Sequence, residues 1–222
     1  MRSPRTTAIA HTRSGPPSGA VAIVGSAGGI PALIDLLREL PRSFGLPVFV
    51  SQHLARQPSL LPQILAWRSM LTVGWAAEGE QPKCGHVHVA PPGTSLTVAA
   101  NGLAVRDLPP TSASWLGTCD RLIASVAAIY GPRSVAIVLN GMMPAGIRGL
   151  REVRARGGIT MAQNSASSIY FDMPHAAVDL GKADIVLTPS RLAGALQVIA
   201  EDWAARRPGS RASEPARHCA PG

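Results

Sequence analysis

The stretch that decides the fold is VAIVGSAGGI, residues 21–30. Its apolar run shows no polar alternation, which is the pattern of a strand buried on both faces, as in a parallel sheet. The run, Ala20–Gly25, passes into Ser26-Ala27-Gly28-Gly29. Ile30–Leu40 (IPALIDLLREL) then carries apolar residues at helical spacing, with Pro31 in the first turn, where a missing N–H costs nothing. Strand, glycine turn and helix make a βα unit, and the same alternation recurs outward from it. Buried strands are predicted at Leu46–Ser51, Ser134–Leu139, Gly158–Ala162 and Asp184–Leu187. Helices are predicted at Ser59–Ser69, Thr118–Tyr130, Ile147–Arg156, Met173–Leu180 and Ser190–Ala204.

Between Leu71 and Val105 the texture changes to short pieces, TVGW, HVHVA, SLTVA and LAVR, separated by Pro-Lys-Cys-Gly, Pro-Pro-Gly and Asn-Gly. That pattern predicts small antiparallel strands and hairpins. Elsewhere the alternation implies right-handed βαβ units, and so an α/β fold whose mostly parallel sheet has helices on both faces. The expected organisation is one domain over residues 20–204, between flexible tails at 1–19 and 205–222.

Composition bounds the function. The chain has 222 residues, 46% hydrophobic and 15% charged, enough for one sizeable core. No apolar run approaches the roughly 20 residues that crossing a bilayer takes, so no membrane insertion is expected. The N-terminal tail lacks the apolar segment of an export signal. Cys84, Cys119 and Cys219 form neither an even set nor a C-x-x-C pair, which suits a reducing cytoplasm. The net charge of +8 is concentrated at the ends, in Arg2, Arg5 and Arg13 and in Arg206, Arg207, Arg211 and Arg217. With no basic stripe interleaved with aromatics in the body, nucleic acid is not expected as a specific partner.

In an open α/β sheet, ligands bind beyond the carboxyl ends of the strands, where strand order reverses. Three strand ends carry unusual residues: Gly25 to Gly29, Ser51-Gln52-His53, and Asn140 to Gly146. As a phosphate cradle the glycine turn fails its specific tests. Ala27 stands at the second glycine of a dinucleotide fingerprint, and the second strand ends in Gln52-His53 rather than a ribose-binding acid. A Walker loop needs Gly-Lys-Ser/Thr, and Gly29 is followed by Ile30 and Pro31. As a nucleophile turn it fares better. A serine on a strand-to-helix turn is held above the sheet, near N–H groups that can meet an oxyanion. Such a serine needs a base within reach, and His53 at the end of the next strand is placed to be one. A serine in a glycine turn is also an ordinary helix cap, so these two residues alone leave both readings open. His86 and His88 alternate on one strand, and without a third ligand they predict no metal site. His175 is assigned no chemistry.

The order of motifs adds to this. IVGSAGG, then VSQHL, then LNGMMPAG, then MAQNSASSIYFDMPHAA resembles the catalytic domain of the CheB-type chemotaxis protein-glutamate methylesterases, from about Val21 to Ala200. The resemblance implies a doubly wound sheet with an added antiparallel hairpin. It implies hydrolysis of glutamyl methyl esters on the cytoplasmic helices of bacterial chemoreceptors to glutamate and methanol, without metal or cofactor. The family's nucleophile falls on Ser26 and its base on His53. Its oxyanion region falls on Ala27, Gly28 and Gly29 and on the backbone amide of Met142.

The family's third catalytic member does not carry over. Its Gly-Met-Gly-x-Asp-Gly is Gly141-Met142-Met143-Pro144-Ala145-Gly146 here, so Ala145 stands where an aspartate orients the histidine. In unrelated serine hydrolases the loss of that role costs roughly 10⁴ in kcat. Two departures place acids nearby in sequence. The family's Pro-Ser-Val-Asp is Gly117-Thr118-Cys119-Asp120, and its Gly-Met-Pro is Asp172-Met173-Pro174. Asp120 and Asp172 are therefore the candidate substitute orienters. The family's receiver domain has no counterpart in the sequence, which implies an ungated enzyme or control by a separate regulatory chain. The alternative to an enzyme is a degenerate relative that binds receptor helices or a signalling partner without turnover.

Overall fold

The computed structural model describes residues 18–108, 115–180 and 183–206. Most of both tails, and the centre of the loop between Leu108 and Leu116, lie outside the described residues. A seven-stranded sheet has the order β3-β4-β2-β1-β7-β8-β9 and is parallel throughout. Its strands are β1 (Ala20–Gly25), β2 (Val48–Gln52), β3 (Thr72–Trp75), β4 (His86–Val89), β7 (Ser134–Val138), β8 (Ile159–Gln163) and β9 (Ile185–Leu187). Strands β5 (Thr94–Ala99) and β6 (Gly102–Asp107) form a separate antiparallel hairpin.

The helices cover both faces, as in a doubly wound fold. One apolar cluster joins the sheet to α1 (Gly29–Arg38), α2 (Leu61–Ala66) and α6 (Pro189–Ala205) through Leu33, Leu36, Leu65, Leu192 and Leu196. The other face packs on α3 (Leu116–Tyr130), α4 (Ile147–Ala155), α5 (Asp172–Asp179) and the hairpin, through Leu122, Val126, Leu150, Met173 and Leu103. Every residue of β1, β2 and β7 is buried, which is why those strands read as unbroken apolar runs.

One expectation is corrected. TVGW and HVHV are not antiparallel pieces; they are β3 and β4, parallel members of the main sheet, and only β5 and β6 form the hairpin. The alternation in TVGW arises because β3 is an edge strand, half-exposed along its length, and edge position mimics the one-sided burial of an antiparallel strand. Helix α2 is also shorter than expected. The Ser59 hydroxyl accepts from Leu61 N–H at 3.2 Å at its start, and Ser69 accepts from Leu71 N–H at 3.1 Å after its end.

Candidate active site

Strand order reverses at β1, whose neighbours are β2 on one side and β7 on the other. The crevice beyond these three carboxyl ends is where the fold offers a site. Register brings its residues together. Gly25 pairs with Gln52, so Ser26 and His53 are the next residues on adjacent strands, and His53 N–H donates to Gly25 C=O at 3.0 Å. On the other side Ser26 N–H donates to Asn140 C=O at 2.8 Å, joining the β1 turn to the end of β7.

The turn itself is built around two glycines. Gly29 N–H donates to Ser26 C=O at 2.9 Å, and Gly28 sits at φ 71°, a left-handed conformation that glycine adopts without a Cβ penalty. Gly29 opens α1 against the side chain of Gln52. A Cβ there would stand 2.3 Å from Gln52 Oε1. Gln52 Nε2 donates to Ser26 C=O at 2.7 Å and to His53 C=O at 3.3 Å, so one buried carboxamide ties the nucleophile turn to the histidine. Asn140 Nδ2 donates to Gly28 C=O at 2.9 Å, and Asn140 N–H donates to Gln163 Oε1 at 3.1 Å. Asn140 Oδ1 is buried and has no partner among the described residues.

Ser26 Oγ lies 3.4 Å from His53 Nδ1. That is longer than an ordinary hydrogen bond, and of the length that tightens when a substrate fills a site. Burial holds the His53 pKa below its ordinary 6.5, so the ring is neutral and able to accept a proton near neutral pH. The N–H groups of Ala27, Gly28 and Met142 have no hydrogen-bond partner among the described residues, although the Met142 side chain points to solvent. Uncommitted N–H groups at a helix N-terminus are suited to meet an oxyanion.

On its far side His53 borders a cleft of about 320 Å³ whose lining includes Gln52, Pro91, Thr94, Trp115 and Thr118. Past the glycine turn stand exposed Met142, Met143, Ile169 and Tyr170, with the Tyr170 ring 3.1 Å from where a Gly28 Cβ would be. Gly141 N–H donates to Tyr170 C=O at 3.0 Å, which locks these two loops together.

The structure therefore brings Ser26, His53, Ala27, Gly28, Gly29 and the Met142 loop to one crevice. It does not bring the substitute acids to His53. Asp120 Oδ1 accepts from Gly149 N–H at 2.9 Å and its other oxygen faces Arg148 at 3.7 Å, while Asp172 is exposed in the first turn of α5. Neither carboxylate is hydrogen-bonded or ion-paired to His53. Ala145 is buried within the apolar cluster of α3 and α4. Cys119, beside it in that cluster, is no rival nucleophile, because burial pushes its thiol pKa up to about 12. Among the described residues no three His, Cys, Asp or Glu side chains form a metal-binding group, and no helix is long and apolar enough to cross a membrane.

Sequence reasoning passed over Gln52 as a residue with a task of its own, and it missed Trp115. The Trp115 ring stacks on His53 with centroids 4.3 Å apart and planes 5° apart. The available signal was a tryptophan in a chain with 4% aromatic residues, set just before a helix.

The family model described as CheB methylesterase matches residues 21–196. Among curated proteins, the chain is 36% identical over 196 residues to the protein-glutamate methylesterase FrzG of Myxococcus xanthus, covering 87% of this chain and 58% of FrzG. It is 39% identical over 186 residues to protein-glutamate methylesterase/protein-glutamine glutaminase 4 of Myxococcus xanthus strain DK1622, covering 80% of this chain and 51% of that protein. The chain thus spans about half the length of the curated relatives it matches. Among solved structures, the CheB methylesterase catalytic domain of Thermotoga maritima superposes with a TM-score of 0.72 at 28% identity. The superposition covers 82% of this chain and 98% of that one. With fold, strand-end motifs and family match in agreement over the same residues, this chain belongs to the CheB methylesterase family.

Proposed function

We propose that the domain is a protein-glutamate methylesterase working through a serine–histidine dyad. The observation that carries this reading is the Ser26 Oγ–His53 Nδ1 approach of 3.4 Å at the strand-order switch point. Ser26 Oγ attacks the ester carbonyl of a methylated glutamyl side chain while His53 Nδ1 takes its proton. The carbonyl oxygen becomes an oxyanion facing the N–H groups of Ala27, Gly28 and Met142. Collapse of this intermediate expels methoxide, which leaves as methanol with the proton from His53. Water, deprotonated by the same nitrogen, then attacks the acyl-serine; the acyl–Oγ bond breaks, glutamate leaves, and His53 returns the proton to Ser26 Oγ. Every step uses side chains and backbone of this chain.

The substrate class is the methylated cytoplasmic helices of chemoreceptors, which fits work in the cytoplasm. The exposed Met142, Met143, Ile169 and Tyr170 beside the turn suit an apolar helix surface more than a charged one. A second reading has one observation in its favour: among the described residues His53 has no carboxylate partner, and a binding module without turnover would not need one.

Methanol release from a methylated receptor fragment separates the two. Wild type turns over, and Ser26→Ala and His53→Ala reduce the rate to background. Equal rates in all three overturn the enzyme reading. A wild type that binds the fragment without releasing methanol establishes the binding module.

A further inference from the structure

We infer that Trp115 is the positioning residue for His53, taking by ring stacking the orienting role that the aspartate position, occupied by Ala145, leaves unfilled. The inference rests on the dyad reading of Ser26 and His53. A carboxylate orients an imidazole from its edge, through a hydrogen bond to the second ring nitrogen. An aromatic ring orients it from its face. The indole of Trp115 lies 4.3 Å from the imidazole, centroid to centroid, with planes only 5° apart, so it fixes the ring plane while leaving Nδ1 directed at Ser26.

The indole is itself held. Trp115 stands at the start of α3, and its carbonyl accepts from Thr118 N–H at 2.9 Å and from Thr118 Oγ1 at 2.6 Å. Thr118 is buried, and its hydroxyl lies 3.5 Å from Ser51 Oγ, on the strand that carries His53 two residues later. Histidine and tryptophan are therefore mounted on two elements joined by a buried polar contact. Among the described residues no carboxylate is bonded or ion-paired to His53. Arg56, which lines the same cleft, donates to Leu108 C=O. The indole also covers one face of the imidazole and keeps water from it, part of the burial that holds the His53 pKa below 6.5. One side chain thus supplies orientation and part of the shielding that keeps His53 neutral.

The test uses Trp115→Ala, Trp115→Phe and Trp115→Leu, with Ser26→Ala as reference and melting temperatures to establish folding. Trp115→Ala and Trp115→Leu are expected to lower kcat roughly 10- to 100-fold, with KM changing much less. Trp115→Phe, which keeps an aromatic face, is expected to stay within about threefold of wild type. The His53 titration, followed by NMR whether or not the protein turns over, is expected to move up toward 6.5 in Trp115→Ala as the ring regains water, and to stay in place in Trp115→Phe.

If Trp115 merely walls the cleft, Trp115→Ala and Trp115→Leu raise KM and leave kcat unchanged, which overturns the inference. If Ser26→Ala matches wild type, the dyad reading fails instead. A titration unmoved in Trp115→Ala overturns the positioning role independently of activity.

Discussion

Gly29 and Gln52 form a pair whose energies can be worked out before measurement. In wild type, Gly29→Ala sets a Cβ 2.3 Å from Gln52 Oε1, and the next two nearest atoms, at 3.3 and 3.4 Å, also belong to Gln52. That carboxamide cannot simply swing away, because it is buried and its nitrogen is bonded to the carbonyls of Ser26 and His53. Overpacking of this kind costs about 1–3 kcal/mol, against a helix-propensity gain of about 1 kcal/mol for alanine over glycine. The expected net loss is about 0–2 kcal/mol, or up to about 8 °C in Tm for a domain of this size. Gln52→Ala alone should cost about 1–3 kcal/mol, since Ser26 C=O keeps its bond from Gly29 N–H and is not left orphaned. In the Gln52→Ala background the clashing atoms are gone, so Gly29→Ala changes sign and stabilises by up to about 1 kcal/mol. Urea denaturation of the four proteins measures a coupling of about 1–3 kcal/mol. If Gly29→Ala costs the same with and without Gln52, the carboxamide is not what the glycine accommodates, and the account of this turn is wrong. Both single variants should also lower kcat toward 10²-fold, roughly the effect of a 1 Å misplacement of reacting groups.

Three further outcomes follow from named contacts. Because partial burial lowers the His53 pKa, kcat/KM should hold its plateau below pH 6.5 before its acid limb begins, and a limb above 6.5 contradicts the neutral, partly desolvated ring. Asp120→Ala should lower stability by about 1–2 kcal/mol, because Asp120 satisfies Gly149 N–H in the uncapped first turn of α4, yet leave the pH profile of activity unmoved. A shifted profile would instead make Asp120 a partner of His53. His88 is buried against Phe49, and its desolvation outweighs the pull of Glu80 at 3.4 Å, so its folded pKa lies below 6.5. The unfolded chain then binds the proton first as pH falls, so His88 contributes stability above pH 6.5 that is lost as pH drops through its folded pKa. His88→Gln should flatten that part of the curve in chemical denaturation at stepped pH.

The sequence by itself determined the βα alternation and the buried strands, and it marked Ser26 and His53 as candidates at adjacent strand ends. Each is a local pattern: an apolar run reports burial on both faces, and a strand end reports where the crevice lies. It also located the missing aspartate at Ala145. What it could not determine was strand direction between Leu71 and Val89, because edge exposure and antiparallel pairing produce the same alternation. Nor could it place Asp120, whose carboxylate looks available in sequence and is committed to α4 in space. The same holds for Gln52 and Trp115. Their tasks lie in contacts with residues far along the chain, the carboxamide with the Ser26 turn and the indole with His53, and those contacts exist only once β1, β2 and α3 are packed together. Composition and spacing mark the candidate residues; only tertiary packing decides what holds them.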